Sequence, residues 1–163
     1  MFVDSHHRIH NYLRISLTDN CDLRCSYCMP EESYDFSPAS RLMQVDEIVE
    51  IAKIFVGGGV NKIRLTGGEP LVRKDAGEII QRLSGLGVEL TMTTNATRVH
   101  LFMDAMKAAG MRKVNVSLDT LNPETFLFLT KRDLFDRVRL NIDLLLAEGF
   151  EVKVNAVVMR GVN

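Results

Sequence analysis

Apolar residues recur at helical spacing through Val45, Ile48, Val49, Ala52, Phe55 and Val56, stop at Gly57-Gly58-Gly59, and give way to the strand-like run Lys62-Ile63-Arg64-Leu65-Thr66. A helix feeding straight into a strand admits few folds when the order repeats, and here it does. Asp75 with Glu78 reads as a capping box opening a helix that ends near Gly85 or Gly87, ahead of a strand over 88–93. A helix over 101–109 stops at Gly110 and is followed by a strand over 113–118. Asn122-Pro123-Glu124 supplies an N-cap, a proline at the first helical position and an acid in the first turn. The longest helix is predicted over 133–148, closed by Gly149 before a last strand over 151–158. With Leu13-Arg14-Ile15-Ser16-Leu17 as the first strand, about five strands separated by helices predict an α/β fold with a parallel sheet and right-handed crossovers.

At 163 residues and 46% hydrophobic, the chain fits one domain with a real core. Its 20 basic and 21 acidic residues nearly cancel, so no global field draws it to nucleic acid or anionic lipid, and phosphate affinity must come from a local site. No apolar run reaches the roughly 20 residues that span a bilayer. Asp4, His6, His7 and Arg8 stand where a signal peptide needs an apolar segment, so a cytoplasmic or organelle-matrix location is expected. The segment 29–43, with Pro30, Ser33, Ser37, Pro38 and Ser40, is the long loop candidate, and loops of that length are commonly functional.

The three cysteines all fall within Cys21-Asp22-Leu23-Arg24-Cys25-Ser26-Tyr27-Cys28, which suits neither a disulfide framework nor an oxidising compartment. They read as thiolates for a metal, placed just past the first strand, where βα folds collect ligands. Two readings stand. A cubane iron–sulfur cluster on three cysteines leaves one iron open to a small nitrogen and oxygen ligand. A structural zinc site needs a fourth ligand, for which His6, His7 and His10 are the candidates.

Cys-x3-Cys-x2-Cys with an aromatic residue before the last cysteine resembles the signature of the radical S-adenosylmethionine enzymes. Gly67-Gly68-Glu69-Pro70, after the second strand, matches that family's motif for the methionine amino group, and glycine lets backbone come close to a ligand. The resemblance implies a partial (βα) barrel, a [4Fe-4S] cluster on Cys21, Cys25 and Cys28, and S-adenosylmethionine chelated to the open iron. It also implies cofactor contacts from Tyr27, Gly68 and Ser117, although Ser117 could otherwise cap a turn.

Within the superfamily, Arg14, Arg64, Thr93 and Lys153 match the triphosphate and nucleotide contacts of the GTP 3′,8-cyclases, which act in molybdenum-cofactor biosynthesis. Three cations in separate strands of an apolar sheet are costly unless paired or gathered on a polyanion. Strings such as Tyr27-Cys28-Met29-Pro30 and Val152-Lys153-Val154-Asn155 carry the same resemblance. It implies conversion of GTP to (8S)-3′,8-cyclo-7,8-dihydroguanosine 5′-triphosphate, with an electron donor as partner and neither nucleic acid nor membrane. Asn20 and Asp22 depart from the family's usual residues but touch no assigned ligand. Those cyclases complete a longer barrel and add a second cluster, whereas this chain has no cysteine after Cys28. Residues 1–163 are therefore expected to form an incomplete core domain, inactive alone, with an open last strand carrying Val154, Ala156 and Val158 that invites self-association. A peptide-modifying radical maturase and a non-catalytic iron–sulfur scaffold are the alternatives.

Overall fold

The computed structural model describes residues 1–30 and 33–163. Five strands, β1 (Tyr12–Ser16), β2 (Lys62–Thr66), β3 (Glu89–Thr94), β4 (Lys113–Ser117) and β5 (Glu151–Asn155), alternate with α1 (Val45–Gly57), α2 (Ala76–Ser84), α3 (Val99–Ala108), α4 (Pro123–Thr130) and α5 (Phe135–Ala147). Every neighbouring pair is parallel and the order is β1-β2-β3-β4-β5. Strands laid down in sequence order with crossovers of one hand keep all helices on one face, which is how a barrel wall is built and a doubly wound sheet is not.

The alternation along each strand shows the consequence. Ile15, Ile63, Leu65, Met92, Val114 and Val116 point to the helices and are buried. Against them pack Ile79, Ile80 and Leu83 of α2, Met106 of α3, and Val138 and Leu145 of α5, all inaccessible to solvent. Helices α1, α2, α3 and α5 adjoin one another in that order except for α4, which packs on α5. The opposite face carries Arg14 and Ser16, Arg64 and Thr66, Thr91 and Thr93, Lys113 and Asn115, and Lys153. The sheet is thus not an apolar one interrupted by three cations: one whole face is polar.

Three local expectations are corrected. Asp75 caps no backbone donor of α2, because Arg73 holds its carboxylate at 2.6 and 2.9 Å. That pairing keeps Asp75 below the usual carboxylate range. The capping box lies instead at Gln44 and Glu47 of α1. The last strand stops at Asn155, short of residue 158, because the Val157 N–H turns to donate to the Asp119 carboxylate at 2.9 Å. Helix α5 ties with α1 for length at 13 residues.

The N-terminal arm folds against the start of the sheet: Val3 bridges to Ile9, the Phe2 ring packs at 5.5 Å from Phe55, and the Asn11 carbonyl accepts from Asn61 N at 3.0 Å. A Cβ on Gly58 would meet the Phe2 ring at 2.1 Å, so a larger residue there would displace that ring. Val154, Ala156 and Val158 are exposed, but only Val154 lies on β5, and the other two follow its end. No helix among the described residues is long and apolar enough to cross a membrane.

Candidate functional site

The C-terminal ends of β1 to β4 open on a cavity of about 210 Å³. The chain leaving β1 is held to the turn after β2 by backbone bonds: Gly68 N donates to Thr18 O and Glu69 N to Asn20 O, both at 2.8 Å. A Cβ on Gly67 would meet Thr18 O at 2.5 Å, and one on Gly68 would meet Asn20 O at 2.4 Å. The two glycines are therefore demanded first by the chain's own backbone, while Gly68 still forms part of the cavity wall.

The cysteine loop is clamped from the other side by the end of α4, with Arg24 N donating to Thr130 O at 2.8 Å and Ser26 N to Leu129 O at 2.9 Å. Arg24 also turns its guanidinium back onto the Cys21 and Leu23 carbonyls and lies 5.0 Å from the Phe36 ring centroid. Cys28 N and Met29 N both donate to Cys25 O, at 2.9 and 2.7 Å, which curls the loop, and all three cysteines line the cavity. Glu31 and Glu32 of the predicted long loop lie outside the described residues; its later part forms a short 3₁₀ turn at Ala39–Arg41.

Tyr27, Ser117, Thr93 and Arg14 line the same cavity as the cysteines and Gly68. Arg64 and Lys153 do not: they share a neighbouring hollow with Lys113, Asn115 and Glu151. Arg14 and Arg64 nevertheless stand side by side in register, Lys153 is in register with Asn115, and Arg64 Nη1 donates to Thr93 Oγ1 at 3.4 Å. The three cations thus occupy one polar face without meeting at one point. Arg64 Nε is a buried polar atom with no hydrogen-bond partner among the described residues.

Sequence reasoning missed four acidic and amide groups that shape the rim. Asp119 accepts from the Tyr27 hydroxyl at 2.6 Å, and burial together with that carboxylate pushes the Tyr27 phenol up. Glu69, 0% exposed, accepts from Leu71 N at 3.0 Å, Thr94 Oγ1 at 2.8 Å and Asn95 N at 2.6 Å, and burial pushes it up to about 7 against those donors. Asn95 Nδ2 reaches Asp22 Oδ1 at 2.8 Å and Cys21 Sγ at 3.6 Å, so Asp22 is in the company of a cysteine after all. The visible signal was Thr93-Thr94-Asn95 read as turn chemistry; Asn95 Oδ1 does accept from Thr97 N at 3.0 Å, but its other end was not legible.

The donor set fits an iron–sulfur cluster. Three cysteines line one cavity beside exposed glycine backbone, a donor type and number that suit a cluster with one iron left for a small polar ligand. Among the described residues no group of three His, Cys, Asp or Glu side chains, the cysteine triplet included, is placed to hold a metal ion. The histidines proposed as a fourth zinc ligand are misplaced: His6, His7 and His10 sit in the arm at the opposite end of β1, where Asp4 binds His6 N at 2.8 Å and lies 3.4 Å from His10. The remaining histidine, His100, is engaged by Asn141 at 3.1 Å.

Burial pushes the Cys21 and Cys25 thiols up to about 11 from 9.0, whereas Cys28 is exposed. A rise of that size lowers the thiolate fraction at neutral pH roughly a hundredfold. In the metal-free chain at pH 8, iodoacetamide is therefore expected to label Cys28 first, with Cys21 and Cys25 following at least about tenfold more slowly. Peptide mass spectrometry over time checks the order, and equal rates would contradict the burial.

A one-sided parallel sheet whose rim carries a cysteine triplet beside a Gly-Gly-Glu-Pro turn defines the class: residues 15–163 match the Radical SAM superfamily, and the chain belongs to it. Among curated proteins, it is 50% identical over its whole length to a mitochondrial GTP 3′,8-cyclase of Arabidopsis thaliana, of which it covers 43%. It is 48% identical over 98% of its length to molybdenum cofactor biosynthesis protein 1 of Mus musculus, covering 26% of that protein. To a GTP 3′,8-cyclase of Campylobacter fetus it is 41% identical over its whole length, covering 51%. The chain thus spans about half or less of these relatives. Among solved structures, Streptococcus suis SuiB bound to precursor peptide SuiA superposes with a TM-score of 0.79 at 21% identity, over 92% of this chain and 33% of that one. Native anSMEcpe with bound AdoMet gives 0.72 at 18%, over 90% and 44%. At those identities the likeness is one of fold.

Proposed function

We propose that this chain holds a [4Fe-4S] cluster on Cys21, Cys25 and Cys28 and binds S-adenosylmethionine beside it, as the cofactor half of a GTP 3′,8-cyclase in molybdenum-cofactor biosynthesis. The observation that carries the reading is the opening of the cysteine loop and the Gly67-Gly68 turn on one cavity that Arg14 and Thr93 also line, with Arg64 bonded to Thr93 from a separate hollow. When bound, the cluster supplies the single electron that splits the sulfonium of S-adenosylmethionine, with an external donor restoring it.

The chain's own residues do the rest. Tyr27, held by Asp119, closes the cavity beside the last cysteine, Gly68 presents backbone to the methionine end, and Ser117 offers a hydroxyl from the end of β4. Arg14, Arg64, Thr93 and Lys153 receive GTP, the cations taking triphosphate oxygens. Formation of the 3′,8-bond belongs to the whole length of such a protein.

Two measurements test this. After anaerobic reconstitution with iron and sulfide, the electron paramagnetic resonance spectrum is expected to change on adding S-adenosylmethionine; an unaltered spectrum removes the open iron. By calorimetry, Arg14→Ala, Arg64→Ala and Lys153→Ala are each expected to weaken GTP binding by at least about 1.5 kcal/mol, the low end for a charge-assisted bond, with S-adenosylmethionine affinity unchanged. GTP affinity unmoved in all three would turn the reading toward a substrate without phosphates.

A further inference from the structure

We propose that Asn95 is a positioning residue for the cluster, its side-chain amide held by Asp22 and Thr97 so that it donates to the Cys21 sulfur and sets the reduction potential. The inference rests on the cluster reading above and concerns residues to which that reading assigns nothing.

The orientation of a side-chain amide has to be earned from its neighbours. Here two of them decide it independently. The Thr97 backbone N–H, at 3.0 Å, can only donate, so the atom facing it is the Asn95 oxygen. The Asp22 carboxylate lies on the other side at 2.8 Å, and the atom that donates to it is the Asn95 nitrogen. One amide hydrogen is thereby committed to Asp22, and the second is left for Cys21 Sγ at 3.6 Å.

The support behind Asn95 is rigid. The residue is 7% exposed, its backbone N–H is bound by Glu69, and the next carbonyl, Ala96 O, accepts from Asn141 Nδ2 at 2.6 Å. Ala96 itself has φ of 64°, a left-handed conformation that a non-glycine residue keeps only when its surroundings impose it. Asp22 is held in turn by Thr97 Oγ1 at 2.8 Å and Arg98 Nε at 3.1 Å. The cysteine loop and the β3–α3 turn are thus locked together around one sulfur.

Reduction adds negative charge to the cluster and its thiolates, so a donor to sulfur favours the reduced state, and hydrogen bonds to the sulfurs are a principal control of potential. A carboxylate beside the same sulfur acts the other way. The pair therefore has opposite signs built into it, with Arg98 offsetting part of the Asp22 charge.

The test is a redox titration, followed by electron paramagnetic resonance, of the chain reconstituted anaerobically with iron and sulfide. Asn95→Ala is expected to shift the one-electron equilibrium about tenfold toward the oxidised cluster, about 59 mV more negative. Asp22→Asn keeps an acceptor for Asn95 but loses the charge, and is expected to shift it about tenfold toward the reduced cluster. Shifts of opposite sign support the inference. Potentials that stay put, or move the same way in both variants, overturn it. If Asn95→Ala takes up no iron, the Asp22→Asn shift alone decides, its absence being fatal. A parent chain that binds no cluster would instead overturn the cluster reading, and this inference with it.

Discussion

Cys21→Ala, Cys25→Ala and Cys28→Ala are each expected to abolish cluster binding, while the metal-free proteins melt within a few degrees of the metal-free parent. The two halves of this result have separate causes. Two thiolates cannot hold a cubane that the chain supplies with three, and the described residues offer no substitute: His6, His7 and His10 lie at the far end of β1, and Asp22 is already bound by Asn95, Thr97 and Arg98. Fold survives because the cysteines are on a rim loop, whereas the core is formed by the helix-facing side of the sheet, from Ile63 and Leu65 to Val114 and Val116. Cys21 and Cys25 are only partly buried against that core, so losing a sulfur costs about 1 kcal/mol, small beside a total of about 5–15 kcal/mol. Iron and sulfide analysis with thermal melting checks both halves. A full iron complement in any one variant would show that the ligands are wrongly assigned.

The sheet was legible because its signals are local. Val114 and Val116 alternate with polar partners, and Gly59, Gly87, Gly110 and Gly149 all take positive φ just past the helices that precede a strand, which is why helix ends could be placed from sequence. The cofactor loop was legible because three cysteines at fixed spacing have few chemical uses. What escaped reading depends on partners distant in sequence. Asp75 was read as a helix cap and became the partner of Arg73, whose guanidinium also binds Leu17 O and Met43 O and so ties the end of β1 to the start of α1. Asp119 drew no reading from the sequence, and joins Tyr27 of the cysteine loop to Val157 beyond β5. Arg14, Arg64 and Lys153 were expected to meet in one mouth. Strand register spreads them instead along a polar face, Arg14 at the cysteine cavity and the other two in the adjoining hollow.

Glu69→Ala is expected to destabilise the fold more than any other single change at the rim, by about 3–5 kcal/mol near pH 5. Its carboxylate is the one acceptor shown for three separate groups, Leu71 N, Thr94 Oγ1 and Asn95 N, and it has no exposed surface through which water could replace it. Each buried donor left unmade costs about 1–3 kcal/mol, and the vacated volume adds to that. The pH dependence carries a definite sign. Burial raises Glu69 from 4.5 to about 7, so between those values the folded chain binds more protons than the unfolded one. The stability that Glu69 contributes is thus fully present below about 4.5 and is lost as pH rises through about 7. Alanine has no such dependence, and the gap between parent and variant should narrow from pH 5 to pH 8. Urea unfolding of both metal-free proteins at several pH values measures it. A penalty under about 1 kcal/mol at pH 5 would show that the three donors find other acceptors. A gap that widens with pH would show that the three hydrogen bonds to the ionised carboxylate outweigh its burial, reversing the order of effects assigned here.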